Sequence, residues 1–197
     1  MTRVAIINSG GANIASLKFA LDRLGTQAEL TVDPQRISDA SHVILPGVGA
    51  AANAMENLRN LNLQDLIPGL TQPVLGICLG MQLLCESSEE DAANCLGILP
   101  AQATKLVASA GNPVPNMGWC AVDFSGNHPL LDGISSGEYF YFLHSFVVPP
   151  GEFTIATAMH DIKFTAVLAQ RNFYATQFHP ERSSAAGARL LHNFLQI

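Results

Sequence analysis

Apolar strand-like runs alternating with helical repeats through the first half of the chain predict an α/β fold on a mainly parallel sheet. Two further observations agree. Hydrophobic residues make up 48% of the sequence and charged residues only 13%, against about 25% charged in a typical soluble domain. Such a composition suits strands covered on both faces. The second half instead shows short consecutive strands, which predict an antiparallel extension of the same sheet. At 197 residues the chain has the length of one ordinary domain, about 100–200 residues. With no repeat, low-complexity tract or linker, a single domain over 1–197 is expected.

The elements follow in order. Val4–Asn8 is a short apolar run ending in Ser9-Gly10-Gly11. Ile14, Leu17, Leu21 and Leu24 recur at helical spacing, and Gly25 stops that helix. Ala28–Val32 reads as a second strand, and His42–Leu45 as a third that ends at Pro46-Gly47-Val48-Gly49. Ala50–Leu61 is a helix with Met55 and Leu58 on one face. Pro73–Ile77 is a fourth strand, followed by a helix over Leu79–Glu86. Between Leu96 and Asp123 the signals are broken by Pro100, Gly111, Pro113, Pro115 and Gly118. Tyr139–Val148, Phe153–Met159, Phe164–Ala169 and Asn172–Phe178 read as strands, and Ala185–Leu195 as the last helix.

Charge and composition exclude several functions. Ten Lys+Arg against sixteen Asp+Glu leave a net charge of −6, with no basic run, so no nucleic-acid partner is expected. Mean hydropathy is +0.24, yet the longest uncharged stretch, Leu66–Cys85, carries two prolines and three glycines. That stretch reads as a loop plus a buried strand, not a membrane span. The start runs into a strand without the apolar segment of a secretory signal. Four cysteines at 78, 85, 95 and 120 have neither CxxC nor zinc spacing. A reduced, cytoplasmic enzyme without a metal is the expectation.

The sharpest motif is Gly76-Ile77-Cys78-Leu79-Gly80, a cysteine between strand and helix with a glycine two residues away on each side. This pattern fits a nucleophile elbow with Cys in place of Ser. The tight turn needs small neighbours, and a helix N-terminus favours a thiolate. The N–H of Leu79 is then free for an oxyanion. A buried cysteine with two packing glycines would give the same pentapeptide. Gln82, one helical turn on, can face the same ligand. Of six histidines, His179 stands apart: it ends a strand run, and Glu181 follows across Pro180. A carboxylate so placed can hold the imidazole by Nδ1–H and aim Nε2 at the thiol. Pro46-Gly47-Val48-Gly49 ends a parallel strand, the edge where α/β sheets build sites, and its glycines let backbone N–H groups approach a ligand. Ser9-Gly10-Gly11-Ala12-Asn13 departs from G-x-G-x-x-G and is a weak nucleotide signal.

These segments, PGVG at 46–49, GICLGMQ at 76–82 and QFHPE at 177–181, together resemble the class I glutamine amidotransferases in order and spacing. The resemblance extends over nearly the whole chain. Asn13-Ile14-Ala15-Ser16, Asn116-Met117-Gly118-Trp119 and Tyr141–Phe146 are similar to one branch, the glutaminases that serve a cyclase in histidine biosynthesis. The resemblance implies the three-layer fold of that family, a largely parallel central sheet flanked by helices with an antiparallel extension. It implies Cys78 as nucleophile, His179 as acid/base and Glu181 as its orienter. Oxyanion donors would be the backbone of Val48 and Leu79, and glutamine contacts Gly49, Gln82, His144, Ser145 and Phe146. Glutamine would be hydrolysed through a γ-glutamyl thioester, with no metal or organic cofactor.

The branch further implies a (β/α)₈-barrel cyclase partner in a heterodimer, reached by ammonia through a protected channel. Asn13, Trp119, Tyr141 and Arg182 would lie near that interface. Channelling has a physical reason: free ammonia is mostly protonated near neutral pH and then cannot attack. The chain departs from the family at Asn116, usually histidine, at Cys120, usually asparagine, and at Arg182, usually lysine. An aspartate is also usual before the first glycine turn, where Asn8-Ser9-Gly10 stands. None of these removes a catalytic group; they bear on the interface. Other readings of the motifs are an amidotransferase subunit serving anthranilate or pyridoxal phosphate synthesis, a catalytically silent module, and a stand-alone cysteine peptidase or γ-glutamyl hydrolase.

Overall fold

The computed structural model describes residues 3–8 and 14–197. The Ser9–Asn13 segment, with its weak nucleotide signal and the expected interface residue Asn13, lies outside the described residues. The first half follows the predicted alternation: β1 (Val4–Ile7), α1 (Ile14–Arg23), β2 (Ala28–Thr31), α2 (Pro34–Ser38), β3 (His42–Gly47), α3 (Ala51–Asn60), β4 (Val74–Cys78) and α4 (Leu79–Leu83). Next come β5 (Cys85–Ser88), β6 (Ala93–Asn94), β7 (Leu99–Lys105), β8 (Asn116–Asp123), β9 (Glu138–His144) and β10 (Phe146–Val147). β11 (Thr154–His160), β12 (Ile162–Gln170), β13 (Phe173–Thr176) and α5 (Ser184–Phe194) complete the chain.

Nine strands form one twisted sheet in the order β2-β1-β3-β4-β13-β12-β11-β8-β9. From β2 to β13 every neighbour is parallel, and from β13 to β9 every neighbour is antiparallel. The antiparallel extension is therefore as wide as the parallel part. Period-2 alternation splits the strands between two cores. Val4, Ile6, Ile44, Leu75 and Ile77 face Leu17 and Leu21 of α1 and Leu190, Leu191 and Phe194 of α5. Ala5, Ile7, Val43, Leu45 and Val74 face Met55 and Leu58 of α3 and Met81 and Leu83 of α4. A second sheet, β10-β7-β5-β6, adds Leu99 and Ala103 to the latter core.

Three departures from the sequence reading have physical causes. The helix expected over Leu79–Glu86 ends at Leu83, and Cys85 opens a strand. The carbonyls of Leu83 and Leu84 are taken by the N–H groups of Leu96, Ile98 and Leu99, so the helical ladder cannot continue. β7 and β8 fall where prolines and glycines broke the pattern; their pairing partners lie far along the chain. α2 is too short for periodicity to show, although Asp33 caps it by accepting the Gln35 N–H at 2.9 Å and Pro34 occupies its first turn.

The crossing of α4 over the strand ends is set by glycine. A Cβ on Gly80 would lie 1.8 Å from the Leu45 carbonyl oxygen of β3, and one on Gly76 2.8 Å from the Gly80 carbonyl. Gly69, by contrast, has open space around it. Gly80→Ala is expected to cost about 3 kcal/mol or more by overpacking against backbone, whereas Gly69→Ala changes stability by less than about 1 kcal/mol. Urea denaturation of the two variants checks this; equal midpoints would refute it.

Candidate active site

Parallel register assembles the site. Gly47 of β3 is paired with Cys78 of β4 on one side, and Thr176 of β13 with Ile77 on the other. Val48-Gly49 and Gln177–His179 therefore leave the sheet on either flank of Cys78, at the carboxyl edge where α/β sheets carry their sites. Cys78 itself adopts φ 55°, ψ −109°, a backbone state that costs of order 1–3 kcal/mol for a residue with a side chain. The elbow predicted from the pentapeptide is present, held by the close packing of Gly76 and Gly80.

His179 is brought to the sulfur by backbone contacts that no motif announces. Its N–H donates to the Tyr141 carbonyl at 2.9 Å. The buried Ser183 hydroxyl donates to the His179 carbonyl at 2.7 Å and accepts the Tyr141 N–H at 3.0 Å. Helix α5 sits so close that a Cβ on Gly187 would lie 2.0 Å from the Pro180 carbonyl. Strand β9 and helix α5 thus clamp the short turn Pro180–Arg182.

The electrostatics of the turn are one-sided. His179 Nδ1 lies 2.9 Å from Glu181 Oε1, with side chains 9% and 5% exposed. Glu181 Oε2 is buried with no hydrogen-bond partner among the described residues, so the carboxylate depends on the imidazole for compensation. Burial opposes the charged imidazole, but hydrogen bonding and charge from Cys78 and Glu181 outweigh it and raise the His179 pKa to about 10. His144 shows the opposite balance. Burial, aided by the charges of His160 and His179, lowers it to about 4 despite its bond to the Phe146 carbonyl. His144 is thus neutral; Nδ1–H donates to that carbonyl at 3.0 Å, and Nε2 accepts from Asn116 Nδ2 at 3.1 Å.

A cavity of about 280 Å³ opens over this cluster, at the small end of ligand pockets. Cys78, Leu79, His179 and Glu181 line it, as do Val48, Gly49, Gln82, His144, Ser145, Phe146 and Arg182. Every residue expected to be catalytic, to form the oxyanion hole or to bind substrate thus meets at one cavity. Larger grooves of about 680 and 650 Å³ lie elsewhere, but neither is lined by a cysteine or serine that could act as nucleophile. Among the described residues no group of three His, Cys, Asp or Glu side chains could hold a metal ion.

The sequence reading missed Glu90 on the cavity wall. Glu90 Oε2 accepts the Ala51 N–H at 2.8 Å, and burial raises its carboxyl pKa. A carboxylate there suits a ligand ammonium group. Nothing in the stretch around Glu90 marks it in sequence, because a turn after β5 brings it in. Trp119 and Tyr141 do not line the cavity. They face each other edge-to-face at 6.1 Å across β8 and β9, and the Arg182 guanidinium lies 4.3 Å over the Tyr141 ring.

Comparison with known proteins gives a consistent picture. The family pattern described as Glutamine amidotransferase class-I matches residues 5–197. The chain is 48% identical over 196 residues to "Imidazole glycerol phosphate synthase subunit HisH" of Haemophilus influenzae (strain 86-028NP), covering 100% of this chain and 98% of that protein. It is 45% identical over 201 residues to "Imidazole glycerol phosphate synthase subunit HisH 1" of Vibrio vulnificus (strain YJ016), covering 99% and 98%. Among solved structures, one described as a glutamine amidotransferase superposes with TM-score 0.76 at 20% identity, covering 98% of this chain and 97% of that one. That last likeness speaks to fold alone.

The raised His179 pKa has a consequence for stability. Its folded value of about 10 exceeds the unfolded value near 6.5, so its contribution is complete below pH 6.5 and is lost as pH rises through about 10. The urea midpoint should therefore fall between pH 6.5 and 10 more steeply in the wild type than in His179→Asn. Parallel slopes would refute the charge assignment.

Proposed function

The chain belongs to the class-I glutamine amidotransferase family, and we propose that it is the glutaminase subunit of an imidazole glycerol phosphate synthase. In this reading residues 1–197 form one domain that hydrolyses L-glutamine to glutamate and ammonia for a cyclase partner in histidine biosynthesis. The ammonia serves the making of imidazole glycerol phosphate and aminoimidazole carboxamide ribotide. The chemistry rests on one observation: a cysteine on a strained elbow shares a small cavity with a buried His179–Glu181 pair. The branch rests on near end-to-end similarity to subunits that carry that name.

Cys78 sulfur attacks the side-chain carboxamide carbon of glutamine. The resulting oxyanion is met by the backbone N–H groups of Val48 and Leu79. Imidazolium His179, held by Glu181, gives its proton to the departing nitrogen, and ammonia leaves a γ-glutamyl thioester on Cys78. Water, deprotonated by His179, then attacks the thioester and releases glutamate. Gly49, Gln82 and the His144–Phe146 segment hold the amino acid. No step needs a metal or an organic cofactor.

The partner in this reading is a (β/α)₈-barrel cyclase, bound as a heterodimer. Support comes from one face of β8 and β9, where register sets Met117 beside Leu143, Trp119 beside Tyr141 and Ala121 beside Tyr139. Met117, Trp119, Tyr139 and Leu143 are all exposed large apolar side chains, and such a patch marks an interaction surface. Leu143 and Arg182 join that face to the cavity, so ammonia released there need not cross bulk water. All four cysteines are free, and no described helix is long and apolar enough to cross a membrane; the work of a biosynthetic glutaminase in this reading is done in the cytoplasm.

Three outcomes follow. Glutamate release should be slow for the chain alone and strongly stimulated by the cyclase with its phosphorylated ligand; equal rates would point to a stand-alone hydrolase. Cys78→Ala should lower kcat by about 10⁴-fold or more and Glu181→Gln by about 10²-fold or more. Persisting turnover in Cys78→Ala would remove the mechanism. Trp119→Ala should weaken cyclase binding by roughly tenfold or more in titration calorimetry; unchanged affinity would move the interface elsewhere.

A further inference from the structure

Gln177 is fully buried after β13, and no step above uses it. Its Oε1 accepts from Gln82 Nε2 at 3.4 Å, and its Nε2 donates to the Cys78 sulfur at 3.9 Å. The amide orientation is set by its neighbours. Gln82 Nε2 also donates to the Phe146 carbonyl at 3.0 Å, so Gln82 offers N–H groups, and Gln177 must turn its oxygen toward them. That carbonyl in turn accepts from His144, which Asn116 holds from behind. The Gln177 nitrogen is left aimed at the sulfur.

The sulfur's other contacts give this N–H its significance. The Leu143 carbonyl lies 3.5 Å from Sγ, an acceptor that suits a neutral thiol and repels a thiolate. The charged or titratable groups around the cavity are His179, Glu181, His144, Arg182 and Glu90. His144 is neutral and the two carboxylates disfavour a second anion, while the His179 imidazolium, hydrogen-bonded to Cys78, and the Arg182 guanidinium favour one. A donor fixed on the sulfur from the buried side counts heavily in such surroundings, because hydrogen bonds to an ionised acceptor are the strong ones.

We propose that Gln177 is a further catalytic residue, whose side-chain N–H stabilises the Cys78 thiolate before it attacks glutamine. This rests on the reading of Cys78 as nucleophile, and the test separates the two.

The pH dependence of Cys78 carboxamidomethylation by iodoacetamide, followed by peptide mass spectrometry, is compared in the full chain and two variants. Gln177→Met removes the donor while keeping length. Gln177→Glu keeps shape and the acceptor toward Gln82 but sets an anionic oxygen against the sulfur. The midpoint should rise by about one pH unit in Gln177→Met, a roughly tenfold slower reaction at neutral pH, and further in Gln177→Glu. In the cyclase complex kcat should fall by more than KM rises. Wild-type midpoints in both variants, with wild-type melting, would overturn the proposal. Should neither variant fold, the ¹⁵N-labelled wild type decides: the Gln177 side-chain amide resonance must shift across the Cys78 titration, and a stationary one overturns the proposal. If wild-type Cys78 reacts no faster than Cys85 and Cys95, the nucleophile reading itself fails, a separate result.

Discussion

The active end of this molecule depends on how closely α4 lies over the ends of β3 and β4. The chain reverses at Cys78 in a backbone state that a residue with a side chain adopts only under compulsion. The compulsion comes from two glycines, one against the Leu45 carbonyl and one against the turn of α4 itself. With those contacts made, the cysteine has one position, at the mouth of the sheet between the ends of β3 and β13. Parallel pairing then delivers Val48 on one side and His179 on the other. The strain at one residue is carried by the burial of the strands around it, all five β4 residues being buried.

Two histidines at the same cavity carry opposite charge states, and the cause is local. His179 has a carboxylate whose second oxygen is otherwise unpartnered, so its charge is retained. His144 has only neutral partners, a carbonyl and an amide, so burial holds it neutral. Divergent environments for like groups are how a single site assigns acid, base and scaffold roles. His179 remains protonated at neutral pH, ready for a leaving nitrogen, while His144 fixes the carbonyl that holds Gln82.

Asn116 and Cys120, where the resemblance implied other residues, turn out to be partners. The Cys120 thiol donates to Asn116 Oδ1 at 3.6 Å, and the Asn116 amide nitrogen reaches His144. These β8 side chains thus extend the hydrogen bonds of His144 outward from the cavity wall. The third departure, Arg182, keeps a cation over the Tyr141 ring. A guanidinium stacks well on an aromatic face, so that corner carries a fixed positive charge.

The sequence by itself determined the elements whose information is local. Apolar runs with glycine ends located β1, β3, β4 and α1 to within a residue or two, and Gly76–Gly80 announced an elbow because the turn's steric demand falls on adjacent residues. His179 and Glu181 were legible as a pair for the same reason, being two residues apart across a proline. Tertiary structure alone decided what depends on distant partners. The length of α4 is set by amides from Leu96, Ile98 and Leu99, and β7 and β8 exist through pairing that their broken patterns conceal. Glu90, Ser183, Gly187 and the aim of Gln177 acquire meaning only from neighbours that the chain brings back from far away. A residue's chemistry is written in its type, but its partners are fixed by packing, and packing is a property of the whole sheet.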